Sequence, residues 1–119
     1  MIESDCIFCK IVSGEVPAEK VYENERFLAF ADANPVGEGH TLVIPKKHFE
    51  TILNLDDETS EGYLKFVKKV AKKLLKKYRA EGFNITVNNG KVAGQRVPHL
   101  HFHILPRKKG DGHKGFYLG

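Results

Sequence analysis

The sequence contains no tryptophan, a single methionine and only two cysteines among its 119 residues. Small secreted domains that depend on disulfides need more cysteines at wider spacing, so a disulfide scaffold is excluded. No apolar run approaches the roughly 20 residues that cross a bilayer, and the first residues lack the basic and apolar parts of a secretory signal. We therefore expect a soluble, cytoplasmic protein.

The rest of the composition is that of a globular domain, with 41% hydrophobic and 29% charged residues. A chain of this length is expected to form one domain over residues 1–119. The net charge of +4 is uneven, since residues 61–81 carry seven lysines and one arginine against two glutamates. We interpret this excess as the solvated face of a helix; a surface for nucleic acid or an acidic partner is the alternative.

Helical and strand patterns alternate along the chain. A short helix is predicted over residues 5–13, with Asp5 as N-cap and Gly14 as its stop. A long helix is predicted from residue 56 or 57 to about 80, because apolar residues recur there with a period near 3.6, at Leu64, Val67, Val70, Ala71, Leu74, Leu75 and Tyr78. Strands are predicted at 20–23, 26–31, 40–44, 83–88 and 99–105, with a short helical segment at 46–49. These elements predict an α+β fold: a five-stranded antiparallel sheet with one long helix and a short N-terminal helix.

Three histidines alternate with apolar residues in the last predicted strand, at His99, His101 and His103. Side chains alternate between the two faces of a strand, so the three imidazoles should share one face and the apolar residues the other. Such a row suits either metal binding or phosphoryl chemistry, in which an imidazole attacks phosphorus and a neighbouring ring hydrogen-bonds a phosphate oxygen.

The two cysteines, Cys6 and Cys9, have the C-x-x-C spacing of a metal knuckle or a redox motif. A redox pair normally follows a strand directly, and none is predicted before Cys6. Two thiolates need two further ligands to complete a tetrahedral zinc site. A metal site, a redox pair and two unpaired buried thiols all remain open at this point.

The histidine strand resembles the motif of the histidine triad (HIT) family, and specifically the zinc-containing Hint-type branch of bacteria and archaea. The resemblance extends over almost the whole chain. Its blocks are residues 5–11, 30–32, 34–35, 39–48, 87–90, 94–98 and 99–105. HIT proteins bind purine nucleotides and cleave nucleoside monophosphate–X bonds at the α-phosphate. The resemblance therefore implies a nucleotide hydrolase or nucleotidyl transferase acting on a phosphoramidate or a dinucleoside polyphosphate.

By motif position, His101 resembles the family's nucleophile, which forms a nucleotidyl-histidine intermediate. His103 and His40 resemble residues that stabilise charge on the phosphate oxygens. Asp32 matches the acid that binds the ribose hydroxyls. The remaining positions similar to nucleotide-binding residues are Asn88 and Gln95, on the sugar and phosphate side, and Ile7, Phe8, Ile11, Phe30 and Leu42, around the base.

Each of these positions also has an ordinary structural interpretation. Ile7, Phe8 and Ile11 at helical spacing are equally typical of a core, while Asp32 and Asn88 are common turn residues. A nucleotide-binding or scaffold module with little turnover is therefore the alternative function. One residue departs from the related Hint-type pattern: Arg96 stands where serine is frequent, and a guanidinium cannot protonate a leaving group.

The resemblance also implies His48 and His99 as partners of Cys6 and Cys9 in a structural zinc site. It further implies a homodimer, in which two sheets join across an edge and the C-terminal tail reaches the partner's site. In this chain the tail would contribute His113, Phe116 and Tyr117.

Overall fold

The structure, a computed structural model, describes residues 5–112 of the chain. Two α-helices flank five β-strands in this part of the protein. The elements are α1 (Ile7–Ser13), β1 (Lys20–Glu23), β2 (Phe27–Ala31), β3 (Thr41–Pro45), α2 (Asp57–Tyr78), β4 (Gly82–Val87) and β5 (Phe102–Arg107), with single 3-10 turns at Ile52–Asn54 and Lys91–Ala93.

The five strands form one sheet in the order β1-β2-β3-β5-β4, and each neighbouring pair is antiparallel. The predicted α+β fold, with a five-stranded antiparallel sheet, one long helix and a short N-terminal helix, is confirmed. Neither helix within residues 5–112 combines the length and apolar character that a bilayer crossing requires.

Helices cover the sheet on both faces. Alternate residues of β2 divide between two apolar clusters: Phe27 and Ala29 pack with α2, whereas Leu28 and Phe30 pack with α1. This division explains why the sequences of the central strands are nearly continuous apolar runs: side chains on both faces of the sheet are buried there. The three-layer arrangement leaves the histidines of the 99–103 segment on the α1 face, because Leu100 lies in the α2 cluster.

The long helix begins as the sequence indicates and ends slightly earlier. Asp56 is its N-cap, with a side-chain oxygen that accepts the Thr59 N–H at 3.2 Å. Arg79, in the left-handed conformation, ends it. The predicted stripe is wrong at Leu64, which is 58% exposed, because Tyr63 and Phe66 take the positions that face the sheet.

Two local predictions near the N-terminal half are wrong. The N-cap of α1 is Cys6, whose sulfur accepts the Cys9 N–H at 3.3 Å, and Asp5 is exposed beside it. Residues 46–49 form no helix; a 3-10 turn follows at Ile52–Asn54 instead, because Thr51 supplies its capping box.

The histidine strand is displaced relative to its prediction. β5 starts at Phe102, so His99 and His101 precede it, and the Leu100 N–H bonds the Phe49 carbonyl instead of a ladder partner. The strand was predicted over residues 99–105, but it continues to Arg107 and includes Pro106. The proline is tolerated because the pairing with β3 covers only Phe102 to Ile104, so β5 contacts β4 alone at that point.

Candidate functional site

The three alternating imidazoles lie on the α1 face of the sheet. The rings of His101 and His103 are 5.0 Å apart between centroids, while His99 turns toward the two cysteines. His99 and His101 are buried and His103 is partly exposed. The row therefore divides into the neighbouring pair of His101 and His103, of which His103 is partly exposed, and one ring, His99, that joins the cysteines.

The backbone fixes the tautomer of His101. Its Nδ1 lies 2.8 Å from the carbonyl oxygen of His99, and only a protonated nitrogen can bond a carbonyl. The neutral ring must then keep its lone pair on Nε2. Burial lowers the pKa of His101, against the opposing effect of its bond to the His99 carbonyl. His101 is thus a neutral ring with an unprotonated Nε2, which is the form that a nucleophile needs.

His40, which directly precedes β3, contacts the same site. Its Nε2 lies 2.9 Å from Nδ1 of His103 and 3.5 Å from a carboxylate oxygen of Asp32. The other ring nitrogen, Nδ1, accepts the Val36 N–H at 3.2 Å. Burial lowers the pKa of His40, while the nearby Asp32 charge raises it by a smaller amount. The structure therefore brings Asp32, His40 and His103 into one group, in which His40 bonds His103 and lies next to the Asp32 carboxylate.

Apolar side chains line the approach to His101. Phe8 contacts the imidazole edge-on, with ring centroids 5.1 Å apart, and Phe30 packs edge-on against Phe8, with centroids 5.6 Å apart. Four of the five predicted base-contacting residues are buried in the α1 cluster: Phe8, Ile11, Phe30 and Leu42. The fifth, Ile7, is 42% exposed. These residues serve as core, and the same cluster also borders the imidazole.

Gln95 braces the loop that precedes the histidines. Its amide oxygen accepts the Gly90 N–H at 2.7 Å, and its amide nitrogen donates to the carbonyls of Glu50 and Val97. Asn88 is also buried, and a side chain at Gly94 would contact its amide nitrogen. Both predicted polar residues therefore lie beside the histidine segment. The Gln95 side chain bonds backbone groups of its own loop and of Glu50.

A second cluster joins α1 to the histidine segment. The His99 Nδ1 lies 3.3 Å from the sulfur of Cys6 and 3.5 Å from that of Cys9, and the His48 Nδ1 lies 3.4 Å from the Cys9 sulfur. The His99 Nε2 donates to the Pro45 carbonyl at 2.8 Å, so its Nδ1 lone pair faces the cysteines. Burial lowers the pKa of His99 to about 4, which keeps this ring neutral.

These four side chains fit a metal ion. Their ligand atoms lie within 4.8 Å of one another. A tetrahedral ion with bonds of about 2.3 Å to sulfur and 2.05 Å to nitrogen separates sulfur from nitrogen by about 3.5 Å, close to the distances observed. A metal-binding histidine also donates its other N–H to a carbonyl, as His99 does. The buried cluster of Cys6, Cys9, His48 and His99 could therefore bind a metal ion.

The group of Asp32, His40 and His103 also brings its ligand atoms within 4.8 Å. It fits an ion less well. The Val36 N–H occupies the Nδ1 lone pair of His40, so the proton of the neutral ring is on Nε2, the atom that would have to bind the metal. The arrangement suits hydrogen bonding to a phosphate instead.

Sequence reasoning missed the backbone groups that orient these rings. The carbonyls of Pro45 and His99 and the N–H of Val36 carry no signal in residue type, and each became visible only with the fold.

Arg96 is exposed and lines a cavity of about 420 Å³ beside the cysteine cluster, shared with two carboxylates, Asp5 and Glu50.

An antiparallel α+β domain with a row of histidines on one face is the class that this geometry defines. The family model described as HIT domain matches residues 13–110. The match covers more than half of the chain, and the chain therefore belongs to the HIT family.

Relatives with known names agree with this assignment. A HIT-like protein of Methanocaldococcus jannaschii is 55% identical over 90% of this chain and 82% of its own length. An adenosine 5'-monophosphoramidase of Schizosaccharomyces pombe is 46% identical over 86% of this chain and 74% of its own. The crystal structure of a HIT family member from Bacillus subtilis superposes with a TM-score of 0.88 at 45% identity, over 98% of this chain and 83% of that one.

Proposed function

We propose that this protein is a purine nucleotide-binding hydrolase or nucleotidyl transferase that cleaves nucleoside monophosphate–X bonds at the α-phosphate. The observation that carries the proposal is the unprotonated Nε2 of His101, fixed by the bond from Nδ1 to the His99 carbonyl. The relative named adenosine 5'-monophosphoramidase supports the same class of reaction. X is the amine of a phosphoramidate or the polyphosphate portion of a dinucleoside polyphosphate.

The reaction proceeds in two displacements at phosphorus. The Nε2 lone pair of His101 attacks the α-phosphorus, the P–X bond breaks, and X leaves with the bonding electrons and takes up a proton from solvent. Water then attacks the nucleotidyl-histidine and releases a proton to solvent. The P–N bond breaks with its electrons returning to Nε2, and nucleoside monophosphate is released with the neutral imidazole restored. An acceptor other than water gives nucleotidyl transfer.

His103 and His40 stabilise the charge that develops on the phosphate oxygens. Their rings are linked at 2.9 Å, and the partial exposure of His103 gives a phosphate access to it. Neutral donors fixed in place before the reaction stabilise a developing oxyanion without the cost of reorganising water.

Asp32 binds the ribose, since its carboxylate oxygens can accept both sugar hydroxyls. The base lies against the apolar group of Ile7, Phe8, Ile11, Phe30 and Leu42, of which Phe8 borders the His101 ring. Asn88 and Gln95 contribute on the sugar and phosphate side. For Gln95 this contribution includes holding the 90–97 loop in place through its three backbone bonds.

We propose further that Cys6, Cys9, His48 and His99 bind zinc with a structural role, and that the chain belongs to the zinc-containing Hint-type branch. Two thiolates and two imidazoles are the donor set that zinc prefers, and four protein ligands leave no open coordination position. The site ties α1 to the histidine segment. Reduced thiols of this kind accord with action in the cytoplasm.

The protein acts as a homodimer in which two sheets meet at an edge. β4 is an edge strand, and Phe83 and Ile85 are exposed apolar residues on it, which favours this edge for pairing. The tail residues His113, Phe116 and Tyr117 lie outside the described residues. Sedimentation analysis of wild type and Phe83→Glu tests the dimer: a wild-type monomer at micromolar concentration contradicts it.

The proposed activity is tested with a panel of adenosine 5'-phosphoramidate and diadenosine polyphosphates, assayed with wild type and His101→Ala. We expect turnover of at least one substrate by wild type and its loss in the variant. Binding of nucleotide without turnover in wild type would identify the alternative, a nucleotide-binding or scaffold module. Equal rates in the two proteins would refute the role of His101.

A further inference from the structure

The loop between β2 and β3 closes on itself through hydrogen bonds. The Asp32 N–H bonds the His40 carbonyl at 3.0 Å, and the His40 N–H bonds the Gly37 carbonyl at 3.2 Å. The Asn34 N–H donates to an oxygen of Asp32 at 2.9 Å. The loop that carries Asp32 is therefore also the loop that holds His40.

One bond in this loop reaches an imidazole. The Val36 N–H donates to Nδ1 of His40 at 3.2 Å. A peptide N–H can only donate, so Nδ1 must present its lone pair, and the single proton of the neutral ring must be on Nε2. A doubly protonated ring would point a second N–H at the Val36 N–H, so the same bond disfavours the charged form of His40.

The proton on His40 decides the state of His103. The two rings are joined between His40 Nε2 and His103 Nδ1 at 2.9 Å. Because Nε2 of His40 carries the proton, Nδ1 of His103 is the acceptor. The neutral ring of His103 then has its proton on Nε2, on the other side of the imidazole from His40.

We propose that the peptide N–H of Val36 is a positioning group, which acts through His40 to hold His103 as a hydrogen-bond donor from Nε2. This inference rests on the proposed function for its purpose, because a donor at His103 serves the phosphate. The backbone thereby gives adjacent rings opposite roles: His101 presents a lone pair on Nε2, fixed by the His99 carbonyl, and His103 presents a proton. The loop that orients the His103 donor through His40 also carries Asp32, the proposed ribose-binding residue.

The test measures the hydrogen bonds directly, on protein labelled with 15N in its histidines and without nucleotide. Imidazole 15N shifts report which nitrogen carries the proton, and a 15N–15N coupling across the hydrogen bond reports donor and acceptor. We expect wild type to show His40 Nε2 as the donor to His103 Nδ1. A proton on His40 Nδ1, or a His103 Nδ1–H donating to His40, overturns the proposal.

Variants at position 36 isolate the N–H, since the side chain there is exposed. Val36→Pro removes the N–H, and Val36→Ala keeps it while trimming the side chain. The coupling should weaken or vanish in the first and persist in the second. Replacement of Val36 by α-hydroxyisovaleric acid, which keeps the side chain and changes the N–H to an ester oxygen, decides the matter if proline distorts the loop. A coupling of unchanged strength in this ester-containing protein overturns the proposal.

Turnover supplies the second readout. Loss of the N–H should lower kcat by about tenfold or more while KM changes little, as expected for a group that acts on charge developing in the transition state. An unchanged kcat together with a lost coupling overturns the positioning role. A wild-type protein with the expected coupling and no turnover would refute the proposed function and leave the tautomer assignment standing, so the two can fail separately.

Discussion

His99 and His40 are both buried histidines on the same side of the sheet, yet the backbone gives them opposite roles. The Pro45 carbonyl accepts a hydrogen bond from the Nε2–H of His99, so the Nδ1 lone pair of His99 faces two sulfurs. The Val36 N–H donates to Nδ1 of His40, so the Nε2–H of His40 faces His103. The comparison teaches that the peptide group behind a histidine decides whether the ring binds a metal or donates a hydrogen bond.

The largest expected effect is the loss of activity on removal of His101, the proposed nucleophile. His101→Ala should lower the rate of phosphoramidate cleavage on the order of 10⁴-fold, because the group that attacks phosphorus is removed. Nucleotide binding should persist, since the apolar group and Asp32 are unchanged. Initial rates and isothermal titration measure the two, and a His101→Ala protein that still forms a nucleotidylated species contradicts the assignment.

His99→Ala should show the reverse pattern and lose stability first. It removes one of the four proposed metal ligands and leaves the sulfur atoms of Cys6 and Cys9 without their shared partner. We expect a loss of several kcal/mol, of the order found when buried paired groups lose a partner, because metal binding contributes directly to folding. Denaturant unfolding and metal analysis measure the change.

His48→Ala is the matched control for that experiment, because it removes a ligand that lies outside the histidine segment. It should also release metal and destabilise the fold, whereas a redox pair would be indifferent to it. A wild-type zinc content near zero per chain, with both thiols titratable, would rule out the metal site.

Asp32→Asn tests the ribose contact at lower amplitude. The asparagine keeps an oxygen that can accept the Asn34 N–H, so the loop should stay in place. Loss of charge-assisted bonds to the sugar should reduce the preference for ribo over deoxyribo substrates by about tenfold, which corresponds to roughly 1.4 kcal/mol. Ratios of kcat/KM for the two sugars measure this preference, and an unaltered ratio would place the ribose elsewhere.

The smallest effect concerns pH and His40. Burial holds the pKa of this ring below its usual value of 6.5 in the folded protein, so the unfolded chain binds more protons as the pH falls below 6.5. The free energy of unfolding should therefore decrease as pH falls from 6.5 toward the lowered pKa, and His40 should contribute no slope above 6.5. Urea titrations of wild type and His40→Gln across this range compare the slopes. Identical slopes would mean that His40 is not held neutral.

The sequence predicted the parts of the fold that depend on local residue patterns. The start of the long helix at residue 56 or 57, the stop of α1 at Gly14 and the division of the histidine segment between two faces follow from local rules and appear in the structure. Phe66 was missed in the long helix because a period near 3.6 fits several registers, and only contact with the sheet selects one.

The errors arise where tertiary partners override local patterns. Pro106 enters a strand because β3 has already separated from β5 there, which no residue type reveals. Cys6 replaces Asp5 as cap because its sulfur, within the cluster that includes His48 and His99, also accepts the Cys9 N–H. The grouping of Cys6, Cys9, His48 and His99 was anticipated through the family resemblance, whereas the tautomers of the rings depend on carbonyl and N–H groups that every residue carries.

His103 and Asp32 lie in parts of the fold that differ in how readily they accept substitutions. His103 pairs with Leu42 on one side and Thr86 on the other, so its backbone moves only if the interior of the sheet opens. Asp32 belongs to a connection between two strands, where substitutions and insertions are tolerated more readily. Under the proposed function, specificity for the sugar can therefore be redesigned, or drift in evolution, through the β2–β3 connection while the phosphate chemistry on the sheet is retained.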